Sequence, residues 1–145
     1  MDIIDKQILT ILTQNSKLTN KEIGEMIHMT GQAVSARILN LQKNGLIKKY
    51  SIEINHSHTQ FIRVFMDSNN FDAFEQFVNT YEEVSSIYKV SGQACYMIIG
   101  HFEESNLAPF IEKVSKWARY SVETVISDRT TDTLDISING YSNNE

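Results

Sequence analysis

The chain lacks the materials for several common kinds of site. A single cysteine, Cys95, among 145 residues excludes an intrachain disulfide framework and a cysteine-rich structural zinc site. No apolar run approaches the roughly 18 residues that cross a bilayer. The start Met1-Asp2-Ile3-Ile4-Asp5-Lys6 has neither the basic cluster nor the apolar stretch of a secretory signal, so a cytoplasmic protein is expected. No glycine-rich phosphate loop, nucleophile elbow or zinc-protease motif occurs, and no enzyme active site or cofactor is expected. Basic charge is also short. Thirteen Lys and Arg face eighteen Asp and Glu, a net of −5, which taken whole argues against a phosphate-bearing partner.

What is present is unevenly placed. Residues 1–50 hold seven basic and four acidic residues, a net of +3, while residues 51–145 hold six and fourteen, a net of −8. Such an asymmetry is expected of two modules with different partners. With 41% hydrophobic residues each can bury a core, and the length suits one ordinary domain or two small ones.

The first module reads as three helices. Asp2 can cap a helix whose Ile4, Ile8, Ile11 and Leu12 share one face. Thr19-Asn20-Lys21-Glu22 is a capping box, flanked by Leu18 and Ile23 as a hydrophobic staple. It opens a helix with Ile23, Met26 and Ile27 inward. A break at His28-Met29 follows, and Thr30 can cap a third helix with Val34, Ile38 and Leu41 buried. Gly45 can stop it in the left-handed conformation. Residues 46–52 then alternate like a strand.

Two short helices joined by a three-to-four-residue turn match a helix-turn-helix, whose second helix enters the major groove. Gln32, Ser35 and Ala36 suit base edges, phosphate and a thymine methyl, and Lys17, Lys21, Arg37, Lys43, Lys48 and Lys49 can neutralise phosphates. A plain three-helix bundle with a solvated polar face has the same periodicity. Local charge, the short turn and the small residues at the helix front favour DNA.

The remainder reads as strand, helix, strand, strand, helix, strand. Phe61–Asp67 is the first strand, followed after Asn69-Asn70 by a helical face of Phe71, Phe74, Phe77, Val78 and Tyr81. Val84–Ser91 and Cys95–Ile99 form a hairpin around Gly92 and the loop Gln93-Ala94. A second helix from Ser105 or Asn106 buries Leu107, Phe110, Ile111, Val114 and Trp117, with Pro109 in its first turn. Residues 122–126 close the sheet. This is the ferredoxin-like order, and its bare sheet face calls for a second subunit. Residues 128–145 are a polar tail in which Leu134-Asp135-Ile136 can add an edge strand. His56 and His58 are taken as linker residues rather than metal ligands, and Cys95 as an inert thiol in an apolar strand. No metal is expected.

Several runs of residues resemble the leucine-responsive regulatory, or Lrp/AsnC, family. Asp2-Ile3-Ile4-Asp5 with Ile8-Leu9 resembles its opening D-x-x-D-x-x-I-L, and Glu22-Ile23-Gly24 the start of its second helix. Thr30, Val34, Arg37, Leu41, Gly45, Ile47 and Tyr50 follow its recognition-helix signature. Val90–Tyr96 resembles its V-x-G-x-x-D-Y hairpin. The resemblance covers about residues 2–127. It implies an α+β protein: a winged-helix-like helix-turn-helix domain over 1–50, a strand or linker over 51–60, and a ferredoxin-like dimerisation and effector domain over 61–127. It also implies a transcriptional regulator whose partners are double-stranded DNA, a second copy in a homodimer, tetramer or octamer, and an amino-acid effector, with no membrane. The DNA-binding residues expected are Lys17, Lys21, Thr30, Gln32, Ser35, Ala36, Arg37 and Lys43, and the effector residues Gly92, Gln93, Ala94 and Cys95. Gln93 and Cys95 stand where the family often has acids, and Asn55-His56-Ser57-His58 replaces a longer linker. The rival functions are an architectural, weakly specific chromosome-binding protein and a small-molecule-binding module whose helical domain docks protein.

Overall fold

The structure, a computed structural model, describes residues 1–131. The expected edge strand at Leu134–Ile136 lies outside the described residues. The chain divides into two units, residues 1–53 and 54–129.

The first unit contains α1 (Ile3–Gln14), α2 (Asn20–Ile27) and α3 (Gly31–Lys43). Their apolar stripes meet in a core of Ile8, Ile11, Ile23, Val34 and Leu41, with Leu18 packed on it as the staple predicts. The start of each helix is held by a side chain. Asp2 and Asp5 cap α1 reciprocally, each carboxylate accepting the other's backbone N–H at 2.9 and 3.2 Å. Thr19 Oγ1 accepts from the Glu22 amide at 3.1 Å. The Glu22 carboxylate does not reach back to the backbone as expected of a capping box; it accepts the Thr19 hydroxyl at 3.0 Å. Thr30 Oγ1 accepts from the Ala33 amide at 3.1 Å.

The turn between α2 and α3 depends on Gly24. The Gly24 carbonyl accepts from the Met29 amide at 2.8 Å, and His28 takes the left-handed conformation. A Cβ on Gly24 would lie 2.3 Å from the Met29 carbonyl oxygen, so no side chain fits there. At the far end of α3 the Leu46 amide donates to Leu41 and the Gly45 amide to Gln42, at 2.9 and 3.1 Å. With Gly45 at φ +74°, this is a Schellman stop.

The strand expected over 46–52 does not form. The Leu46 and Ile47 amides are both spent on the Leu41 carbonyl, and no described strand pairs with residues 48–52. Residues 48–52 belong to no regular element and are exposed.

The second unit contains β1 (Gln60–Met66), α4 (Phe71–Val78), β2 (Val84–Lys89), β3 (Tyr96–Gly100), α5 (Glu104–Val114) and β4 (Ala118–Thr124). The strands order as β2-β3-β1-β4, all antiparallel, which is the ferredoxin-like arrangement. Ile62, Val64, Tyr96 and Ile98 face the helices and join Phe74, Val78, Phe102, Phe110 and Val114 in one core. The side-chain amide of Gln60 extends this ladder. It donates to the Phe102 carbonyl at 2.8 Å and accepts the Phe102 amide at 2.9 Å, standing in for a peptide group where β3 has ended.

Several boundaries differ from the sequence reading. The closing strand starts at Ala118 rather than residue 122, because β1 pairs along its whole length, from Gln60↔Thr124 to Met66↔Ala118. The hairpin loop is Val90–Cys95, not two residues: Gly92 bends at φ +128°, Val90 closes onto the Cys95 carbonyl at 3.0 Å, and the Cys95 amide turns to Val64 on β1 at 2.8 Å. Pro109 lies inside α5, in its second turn, since the helix begins at Glu104. Ser105 and Pro109 are both exposed, so water can meet the carbonyl that loses its donor.

Candidate nucleic-acid interface and effector hairpin

The front of α3 is built against the front of α2. A Cβ on Gly31 would lie 3.3 Å from the Lys21 backbone nitrogen, so the first turns of the two helices sit side by side. Both helix starts present uncommitted backbone N–H groups and the positive end of a helix dipole, which together attract phosphate. Lys21 lies in the first turn of α2 and is exposed.

Gln32, Ser35 and Ala36 are exposed on α3, and their three- and four-residue spacing puts them on one face. The same spacing carries that face on to Leu39 and Lys43. Sequence reasoning passed over Leu39, which is 50% exposed; an apolar residue recurring on a polar face was the signal for it. Lys17 is exposed in the α1–α2 connection, where its amide donates to Asn15 Oδ1 at 3.1 Å. The Thr30 hydroxyl is engaged in capping.

Arg37 is placed differently from the expectation. Its Nη1 donates to Asp2 Oδ2 at 2.6 Å and to Asp5 Oδ1 at 3.1 Å. The Arg37 hydrogen bond holds the Asp2 carboxyl below the usual carboxylate range, while Asp2 and Asp5 push the guanidinium up. Arg37 is therefore turned to α1 through its Nη1. Its position was legible: three residues after Val34 and four before Leu41, it shares the edge of the buried stripe.

In the second unit the expected effector residues form one loop. Gly92 and Gln93 are exposed, while Ala94 and Cys95 are half-buried. Just inside it, the buried Tyr96 donates its hydroxyl to Glu75 Oε2 at 2.7 Å. Burial, and then Glu75, raise the phenol pKa well above its ordinary value. Lys89 Nζ stands 4.2 Å over the Phe71 ring. The sheet face away from the helices carries Phe61, 40% exposed, and Tyr88, 54% exposed. The strand register sets Met97 and Ile99 beside them. Among the described residues no group of three metal-binding side chains comes together, and no helix is long and apolar enough to cross a membrane.

Comparison with known proteins fits both units. Residues 1–48 match a family model described as winged helix-turn-helix DNA-binding, and residues 59–130 match the Lrp/AsnC ligand binding domain. The HTH-type transcriptional regulator LrpA of Bacillus subtilis is 36% identical over 87% of this chain and 98% of its own length. The chain belongs to the Lrp/AsnC family of transcriptional regulators. Another Lrp relative, LrpB of B. subtilis, is 45% identical over 68% of this chain and 69% of its own. Among solved structures, B. subtilis LrpC shares the fold with a TM-score of 0.85 at 24% identity, covering 91% of this chain and 99% of that one. A transcriptional regulator from Neisseria meningitidis, solved as its L-Met complex, shares the Lrp/AsnC fold with a TM-score of 0.81 at 21% identity, covering 92% and 94%.

Proposed function

We propose that the chain regulates transcription as a homodimer, or an assembly of dimers, that reads DNA with the exposed face of α3. The observation that carries this reading is the packing of Gly31 against Lys21, which sets two phosphate-attracting helix starts beside Gln32, Ser35 and Ala36. Lys17, Lys21 and Lys43 neutralise phosphates, and Leu39 adds an apolar contact to the reading face. The exposed sheet face of Phe61, Tyr88, Met97 and Ile99 is the self-association surface. Two heads then engage major-groove faces roughly 34–36 Å apart or a multiple of that. The loop Gly92–Cys95 is the effector site. The L-Met complex of the Neisseria relative supports an amino-acid ligand, although Gln93 and Cys95 offer no carboxylate for its ammonium group.

Footprinting of the intact chain on the DNA upstream of its own coding sequence tests this reading. Discrete protected sites, lost in a Gln32→Ala/Ser35→Ala variant, are expected. Uniform coverage that ignores the double substitution would instead indicate an architectural protein.

A further inference from the structure

The contact of Arg37 with the start of α1 has a division of labour. Asp2 uses Oδ1, and Asp5 uses Oδ2, to cap α1. The two remaining oxygens, Asp2 Oδ2 and Asp5 Oδ1, both accept from Arg37 Nη1. Each carboxylate thus serves the helix it starts and the helix it faces, 32 and 35 residues away in sequence. Two negative charges surround one positive charge, so the cluster as a whole has no attraction for phosphate.

We propose that Arg37 is a positioning residue: with Asp2 and Asp5 it fixes the angle at which α3 presents its reading face, and it makes no phosphate contact. This rests on α3 being the DNA-reading helix. The apolar core can hold the axis of α3 through Val34 and Leu41, but apolar contact is non-directional. A guanidinium hydrogen-bonded to two capped carboxylates is directional and grips the helix one residue beyond Ala36. The discriminating quantity is the ratio of specific to non-specific affinity, because non-specific binding reads only charge.

The test uses the intact chain and four variants, measured on a protected site and on unrelated duplex across a range of salt. Arg37→Gln should weaken specific binding by roughly threefold to fivefold, the span open to a partly exposed ion pair. Its non-specific affinity and salt slope should stay unchanged. Asp2→Asn/Asp5→Asn keeps the caps, since Asn caps as well as Asp, and should weaken specific binding alike although it makes the head more positive. Adding Arg37→Gln to that background should cost nothing more. A phosphate-contacting Arg37 gives the opposite pattern. Its loss would lower the salt slope by about 0.9 per head and weaken both duplexes, and the Asn variant would bind both more tightly. Either result overturns the proposal. Equal losses on both duplexes with a lowered melting temperature would also overturn it, as a purely structural role. If the Gln32→Ala/Ser35→Ala variant keeps full specific affinity, α3 is not the reading helix and both readings fall.

Discussion

Replacing Gly24 by alanine sets two physical effects against each other, and the structure decides the sign. In a helix interior Gly→Ala gains about 1 kcal/mol from propensity. At Gly24, however, the added carbon would meet the Met29 carbonyl oxygen at 2.3 Å, the Met29 carbonyl carbon at 3.2 Å and the Thr30 carbonyl carbon at 3.3 Å. All three are backbone atoms and cannot swing aside, so the turn itself must move. Overpacking of this kind costs about 1–3 kcal/mol, and a backbone obstacle puts Gly24 at the top of that range. The net expectation is a loss of about 2 kcal/mol, which lowers the melting midpoint of the first unit by roughly 10 °C. Thermal unfolding followed by far-ultraviolet circular dichroism measures it, with hydrogen exchange assigning the loss to residues 1–53. Gly45→Ala is the control: nothing lies within 4 Å of its Cβ, but its φ is +74°, so strain alone acts and the loss should be about 1 kcal/mol. A Gly24→Ala chain as stable as the parent, or more so, would refute the steric argument.

Lys21→Ala should reduce the salt slope of DNA binding by about 0.9 per head and weaken specific and non-specific duplex alike, as a titration in increasing chloride will report. Tyr96→Phe removes the 2.7 Å hydrogen bond to the Glu75 carboxylate from a buried ring. It should cost about 1.5–3 kcal/mol in urea unfolding, and a neutral result would show that the bond contributes nothing. His101 titrates below its ordinary value of 6.5 because burial disfavours its charged form. Its ring stacks on His56 at 3.5 Å and meets Ser85 Oγ, Thr59 Oγ1 and the His58 carbonyl, while its amide donates to the Glu83 carbonyl. A histidine with a depressed folded pKa stabilises above the unfolded value and loses that stability as pH falls. The second unit should therefore weaken as pH drops below 6.5, and His101→Gln should flatten that dependence.

The sequence carried the element order of both units because the stripes Ile8, Ile11 and Val34, Leu41 obey helical spacing. The alternation of Ile62, Val64 and of Tyr96, Ile98 obeys strand spacing. Caps at Asp2, Thr19 and Thr30 were legible for the same local reason. What was not legible depends on contacts between distant residues. Residues 46–52 have the alternation of a strand, but a strand needs a partner, and the Schellman stop takes the first two amides. The start of β4 is set by the length of β1 rather than by its own composition. Arg37 was read by its charge alone, whereas its spacing from Val34 and Leu41 also placed it at the edge of the core, within reach of α1. The Gln60 amide pair with Phe102 had no signal in a linear reading, since it joins residues 42 positions apart.

The stacked rings of His56 and His101 also define a tether. The first unit reaches residue 53, but its last backbone hydrogen bond along the chain is that of Ile47 to Leu41; in the second unit the ring of His56 is held by the stack. From Ile47 to His56 the chain takes nine Cα steps, which extend no farther than about 32 Å. Releasing the stack would hand residues 56 and 57 to the tether, since the His58 carbonyl is still held by His101, and add about 7 Å of reach. A longer tether dilutes one head in the neighbourhood of the other. In the dimer proposed above, the effective concentration of the second head for its half-site then depends on an imidazole contact in the other unit.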